Sequence, residues 1–229
     1  IAAGGPAFFH YKILSMLRRS HQHPEAPVPV FWLASEDHDW DEVRSFPFGA
    51  KGSTGVAWEA DAGRGAVGRI KLDQSARSAV ESWAEAANLE ESWKDELVEA
   101  YGSSESLADA VFKCVHQWFG EDGLLVLDAD DPELKLLAAP LWEAELAGKG
   151  IGTAVERRTQ WLKEAGWSPP LHPRGVSLFE IRTESRVRLE QKEEGVAPID
   201  GSWSIPASDA AKEARKEAQR WSPNAALRP

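Results

Sequence analysis

Cysteine is all but missing from this chain of 229 residues, with Cys114 the single example. No disulfide can close within it, so core packing has to hold the fold, and one thiol suits a reducing cytoplasm. Cys114 falls on the apolar side of "SLADAVFKCVHQWF", where a cysteine packs more often than it reacts. No apolar run approaches the ~18 residues of a membrane helix, and no basic leader precedes an apolar stretch. A Lys/Arg block is also lacking, and the net charge is -11 with a pI of about 5.1. That balance disfavours nucleic acid and fits a protein that handles small molecules. The motifs GxSxG, HExxH, Walker A and paired CxxC do not occur. "GIGTAVE" at 150–156 lacks the glycine spacing of a dinucleotide fingerprint and follows no strand. No membrane, nucleic acid or metal partner is expected.

The chain is long enough for one large or two small domains with a sizeable core. It opens on Ile1 and closes on "WSPNAALRP", and the expectation is a piece of a longer protein. Residues 5–20 carry Phe9, Ile13, Met16 and Leu17 at helical spacing, with Pro6 suited to the first turn. "VPVFWLA" at 28–34 reads as a short strand, apolar on both faces as a helix-covered parallel sheet requires. The stretch 40–55 reads as irregular, and "GVAWEA" and "GAVGRIKL" as a hairpin around the Gly-rich "DAGRG". Helical patterns follow at 74–87, 90–101 and 106–119. "GLLVLDA" at 123–129 is a second buried strand, with Asp131 and Pro132 starting the next helix. Helices continue to about Leu146 and again over 152–164, then 175–183 and 185–191 alternate as an antiparallel pair. A short helix capped by Ser208 or Asp209 ends the pattern. Two buried strands separated by long helical stretches point to an α/β fold with a parallel sheet core. The expected organisation is a first part of the core at 1–50, a mostly helical insertion at 51–119, a second part of the core at 120–150, and a second insertion with an antiparallel ribbon and helix at 151–229.

The chemistry gathers where the first strand ends. "PVFWLASEDHDWDEV" at 29–43 passes from its apolar run into Glu36, Asp37, His38 and Asp39. In open α/β sheets ligands bind beyond the carboxyl ends of the strands. A histidine between carboxylates suits acid/base work on an amine. The same residues also read as a solvated turn that caps a helix. They read less well as a metal site, because neighbours in a row rarely converge on one ion. Asp128 or Asp130 in "LDADDP" are candidates for the same cleft, and Asp131 reads as an N-cap. Lys12 reads first as a solvated helical lysine, and His172 as an ordinary loop residue. His10, His21, His23 and His116 receive no role.

Five blocks, "GGPAFFHYK", "PVPVFWLASEDHDWDEV", "GLLVLDADDPELKLLAAPLW", "LHPRGVSLFEI" and "RWSPNAALRP", occur in an order that resembles the cysteine-adding enzymes of bacillithiol biosynthesis. The likeness covers essentially the whole chain, and the second block is its most specific part. It implies a Rossmann-like core with helical and β-hairpin insertions of the connective-peptide type, and a homodimer formed through a coiled coil beyond this chain. It implies a ligase that joins the carboxyl group of cysteine to the amine of glucosaminyl-malate, with ATP as the expected activating cosubstrate. His38 and Asp39, with Glu36 and Asp37, become the implied catalytic group, the acids holding a substrate ammonium. Gly5, Pro6 and Lys12 match the family's first-helix signature, and Ser222, Asn224 and Arg228 its closing motif. The implied role of these six is substrate binding. Phe8 and Phe9 stand where the family has Tyr and Thr, which removes two hydroxyls. The competing readings are another class I-like ligase or nucleotidyltransferase, a non-catalytic small-molecule-binding or scaffold domain, and, last, a metal-dependent Asp/His hydrolase.

Overall fold

The computed structural model describes residues 5, 7–48, 54–59 and 65–227. The chain divides into two compact units, Ile1–Ala129 and Asp130–Pro229. Pro6 and Arg228 lie outside the described residues.

In the first unit, helix α1 (Ala7–Gln22) buries Phe9, Ile13 and Leu17. These recur every fourth residue and so form one stripe. Strand β1 (Val30–Leu33) follows, then a short helix α2 (Trp40–Val43), strands β2 (Ser45–Phe48) and β3 (Thr54–Ala57), and a 3-10 turn at Val67–Arg69. Helices α3 (Gln74–Ala86), α4 (Glu91–Gly102) and α5 (Leu107–Phe119) lead to strand β4 (Leu125–Asp128). Asp73 caps α3 by accepting from the Ala76 N–H at 3.1 Å, and Ser106 caps α5 through Asp109 N–H at 3.2 Å. Both caps satisfy a donor that the first helical turn leaves open. Trp58, Val80, Leu97, Tyr101 and Val115 are the innermost side chains of this unit. Cys114 packs among them, and burial pushes its thiol up to about 12.

Strands β1 and β4 pair in parallel, from Val30 opposite Leu125 to Leu33 opposite Asp128. The α/β reading therefore holds, with a parallel core pair that brings together segments far apart in the chain. The expectation that β1 is buried along its length needs correction. Leu33 is buried, Phe31 and Trp32 are partly so, and Val30 and Leu125 are exposed. The expected hairpin between 55–60 and 65–72 is also corrected. Strand β3 pairs instead with β2, antiparallel, with Phe46 opposite Val56. The supposedly irregular stretch supplies the partner because its Phe46 enters the core, 2% exposed. The segment at 65–72 is no strand. Its Val67 and Gly68 N–H groups are taken by the loop after β1, and Lys71 makes only an isolated bridge to Ser106.

In the second unit, α6 (Pro132–Leu137), α7 (Ala139–Leu146) and α8 (Gly152–Glu164) precede an antiparallel sheet. Its strands are β5 (Leu178–Ile181), β6 (Arg186–Gln191), β7 (Gly195–Pro198), β8 (Ile205–Pro206) and β9 (Trp221–Pro223), in the order β8-β7-β6-β5-β9. The β5–β6 ribbon is the pair expected from alternation, and β7, β8 and β9 widen it. Helix α9 (Ala210–Lys216) packs on α7. The cap expected at Ser208 or Asp209 is not made; Asp209 is helical and its side chain makes no cap bond. Asp131 does cap α6, accepting from Glu133 and Leu134 N–H at 2.9 Å each. Buried Glu145 ties the unit together by accepting from Ile151 N–H at 2.8 Å and Ser177 N–H at 2.6 Å.

Candidate active site

Strand β1 stops at Leu33, and the chain turns at once: Ser35 N–H donates to Leu33 O at 2.8 Å, and Asp37 N–H to Ala34 O at 3.2 Å. The 3-10 turn at Val67–Arg69 then clamps the loop. Val67 N–H donates to Asp37 O and Gly68 N–H to Ser35 O, both at 2.7 Å. Gly68 is needed for this approach. A Cβ there would lie 2.4 Å from Ser35 Cβ and 2.7 Å from Ser35 O. On the other side Ala129 N–H donates to Leu33 O at 3.0 Å, and Ser35 Oγ donates to Asp128 Oδ1. The carboxyl ends of both parallel strands are thus stitched together at Ser35 and Asp128.

The four loop residues take different positions. Glu36 is wholly buried. Asp37 accepts from the His38 N–H at 2.9 Å and lies 3.2 Å from His38 Nδ1. The His38 ring is about half exposed, at 51% of its side-chain surface. Asp39 caps α2, its Oδ1 accepting from Glu42 N–H at 3.3 Å. The structure thus contains both the cap and a histidine–carboxylate pair, carried by neighbouring residues. The surroundings are acidic: Asp41 and Glu42 fill the first turn of α2, and Asp128 stands beside Ser35. Crowded carboxylates of this kind attract an ammonium group. Among the described residues, no group of three His, Cys, Asp or Glu side chains is placed to hold a metal ion.

Gly5 adopts a φ of 62° just before α1, a conformation easiest for glycine. Lys12 is exposed, and its Nζ lies 4.5 Å from the centre of the Phe8 ring. Helical side chains lean toward the N-terminus, so this contact points the Lys12 charge at the start of α1. Phe8 is exposed, whereas Phe9 is buried and meets Phe31 edge to face at 5.3 Å. A hydroxyl at position 9 would therefore fall in the core. In the second unit, Ser222 is fully buried in β9 and accepts from Arg186 Nε at 3.0 Å. Asn224 Oδ1 accepts from Ala225 N–H at 2.7 Å, which starts the final turn. Of the two cleft candidates in "LDADDP", Asp128 joins Ser35. Asp130 is buried against Lys135 Nζ at 2.7 Å in the second unit. Sequence reasoning missed Ser35 and the Val67–Gly68 clamp. Backbone hydrogen bonds leave no residue signature, and the single hint was a glycine among apolar residues.

A parallel strand pair whose carboxyl ends meet in a clamped polar loop defines an α/β domain of the Rossmann-like class. The chain belongs to the BshC family: the model for "Bacillithiol biosynthesis BshC, N-terminal Rossmann-like domain" matches residues 2–229. Among curated relatives, "Putative cysteine ligase BshC" of Cytophaga hutchinsonii is 33% identical over 232 residues, covering 98% of this chain and 42% of that protein. The protein of the same name in Flavobacterium johnsoniae is 29% identical, covering 98% of this chain and 43% of its own length. The one in Bacillus cereus (strain ATCC 10987) is 25% identical, with 98% and 44% covered. The chain thus spans less than half the length of these relatives.

Proposed function

We propose that the complete protein is a ligase of bacillithiol biosynthesis that joins the carboxyl group of cysteine to the amine of glucosaminyl-malate. The observation that carries this reading is the Asp37–His38 pair on a clamped loop at the carboxyl end of β1, in a member of the BshC family. With Nδ1–H donating to Asp37, the ring offers Nε2 to take a proton from the attacking amine. The tautomer is inferred from that hydrogen bond. The acidic surface around the loop holds the ammonium form of the amine before attack. Glu36 and Asp39 serve by position, one buried under the loop and one capping α2.

Amide formation from a free carboxylate is uphill in water, so ATP is the proposed source of activation. The start of α1 fits an anionic partner: its first turn has no acid, and the Lys12 charge is directed there. Gly5, Pro6 and Lys12 are assigned to that role. Ser222, Asn224 and Arg228 are assigned to substrate binding, with the buried Ser222 acting through Arg186. The same proposal treats 51–119 as an insertion, because β1 and β4 pair directly. It also includes a homodimer built on a coiled coil and a cytoplasmic location.

The test supplies the complete protein with glucosaminyl-malate, L-cysteine and ATP and follows the product by mass. Product is expected, and its absence beside an active control enzyme would overturn the reading. His38→Ala should lower turnover by roughly 100-fold or more. Because the ring is half exposed, the thermal midpoint should not move. Near-normal turnover would take His38 out of the mechanism.

A further inference from the structure

A cavity of about 140 Å³ opens between the end of β1 and the first turns of α5. Its walls include Leu33, Val67, Leu107, Ala108 and Val111, and Trp32 and Ser35 line it as well. The indole N–H of Trp32 is buried and meets no acceptor among the described residues. A buried donor left without an acceptor is costly, and such sites call for an explanation. Ser35 connects this cavity to the loop described above, because Glu36 follows it directly.

We propose that this cavity receives the thiol side chain of the cysteine substrate, with the Trp32 indole N–H donating to its sulfur. The inference rests on the ligase reading and deepens it. Size agrees: an apolar cavity of about 150 Å³ holds a benzene-sized group, so a nucleotide is excluded and a small side chain has ample room. Polarity agrees as well, since a thiol is a weak acceptor on a small apolar group. The chemistry supplies a reason for the pocket. Cysteine brings its own second nucleophile to a site where its carboxyl group is activated, and the thiolate is the reactive form of that group. Apolar walls disfavour the thiolate, as burial does for Cys114 in the same unit. Holding the thiol neutral leaves the amine of the second substrate as the nucleophile. Serine fits the same volume but would bury a hydroxyl in apolar surroundings, so the pocket also selects for sulfur.

The experiment uses the complete protein with L-cysteine and L-serine as alternative substrates. Val111→Phe fills the cavity. It is expected to raise KM for L-cysteine by about tenfold or more, with KM for glucosaminyl-malate unchanged. Trp32→Phe keeps an aromatic ring and removes the donor. It is expected to lower kcat/KM for L-cysteine several-fold and to raise the cysteine-over-serine ratio, because a hydroxyl oxygen loses more than a sulfur when the donor goes. If Val111→Phe does not fold, Ala108→Val takes the same two readings. An unchanged KM for L-cysteine in a folded cavity-filling variant overturns the proposal, as does an unchanged ratio in Trp32→Phe. Calorimetric titration with L-cysteine separates this idea from its premise. Binding that the cavity-filling variant abolishes, without any amide product from the parent protein, keeps the pocket and sinks the ligase reading. Product formed with an unaltered cysteine KM in that variant does the reverse.

Discussion

His38 and Asp200 show how differently two charged side chains can be used. His38 pairs with Asp37 and keeps half its side-chain surface open, so its ring is held without being enclosed. Asp200 is exposed too, yet it is engaged fully: it accepts from Arg182 at 2.5 Å, from Ser202 N–H at 3.1 Å and from Ser202 Oγ at 2.8 Å. The Arg182 guanidinium, with these hydrogen bonds, holds its carboxyl well below the usual carboxylate range. The sign of the linkage follows. A carboxyl depressed in the folded state adds stability above its unfolded value, about pH 4, and loses it as the pH falls toward the folded value. Asp200→Asn should therefore melt below the parent at pH 7, and the two melting curves should draw together below about pH 4. Thermal scans across that range check it; a gap that widened with acid would contradict the assignment. Exposure limits the size of the effect.

At the scale of elements, the loop after β1 depends on backbone bonds from the Val67–Arg69 turn. Val67 and Gly68 hold it through two backbone hydrogen bonds, and the contact with Ser35 requires a residue without a Cβ. Gly68→Ala forces backbone apart, because the nearest atoms include Ser35 O and Ser35 Cα. Overpacking of this kind costs about 1–3 kcal/mol. The expected result is a thermal midpoint lower by several degrees and, in the complete protein, a fall in the turnover proposed above, since Glu36–Asp39 would shift with Ser35. Unchanged midpoint and turnover would show that the turn does not support the loop. The β2–β3 pair teaches a related lesson. Thr54–Ala57 had a strand-like sequence, but a glycine-rich neighbour suggested the wrong partner. Strand choice followed Phe46, whose burial the local pattern around Pro47 concealed.

For the molecule as a whole, two units carry two separate cores, one centred on Trp58, Val80 and Tyr101 and the other on Trp142, Leu178 and Trp221. The acidic excess lies almost wholly in the first unit, with 21 acidic and 11 basic residues against 16 and 15 in the second, for a net -11 and a pI of about 5.1. Mutual repulsion keeps such a chain dispersed at neutral pH. Solubility of this chain is expected to pass through a minimum near pH 5.1, measured as the concentration left after centrifugation across a pH series. A minimum at neutral pH would mean that exposed apolar surface such as Val30 and Leu125 outweighs charge. Among the described residues no helix is long and apolar enough to cross a membrane.

Much of this protein was legible in its residues alone. Helical spacing located α1, α3, α4 and α5, and apolar runs ending in acids located β1 and β4, because those signals are periodic and local. The loop at Glu36–Asp39 stood out for the same reason, as a sharp change of polarity along a few residues. Tertiary structure decided the rest. It chose β2 as the partner of β3, joined Asp128 rather than Asp130 to Ser35, and gave Asp39 to a helix cap while leaving His38 open. It also enclosed the cavity beside Trp32. Each of these is a contact between distant segments, fixed by which side chains could share one buried space and which backbone groups still needed a partner. No local pattern encodes that competition.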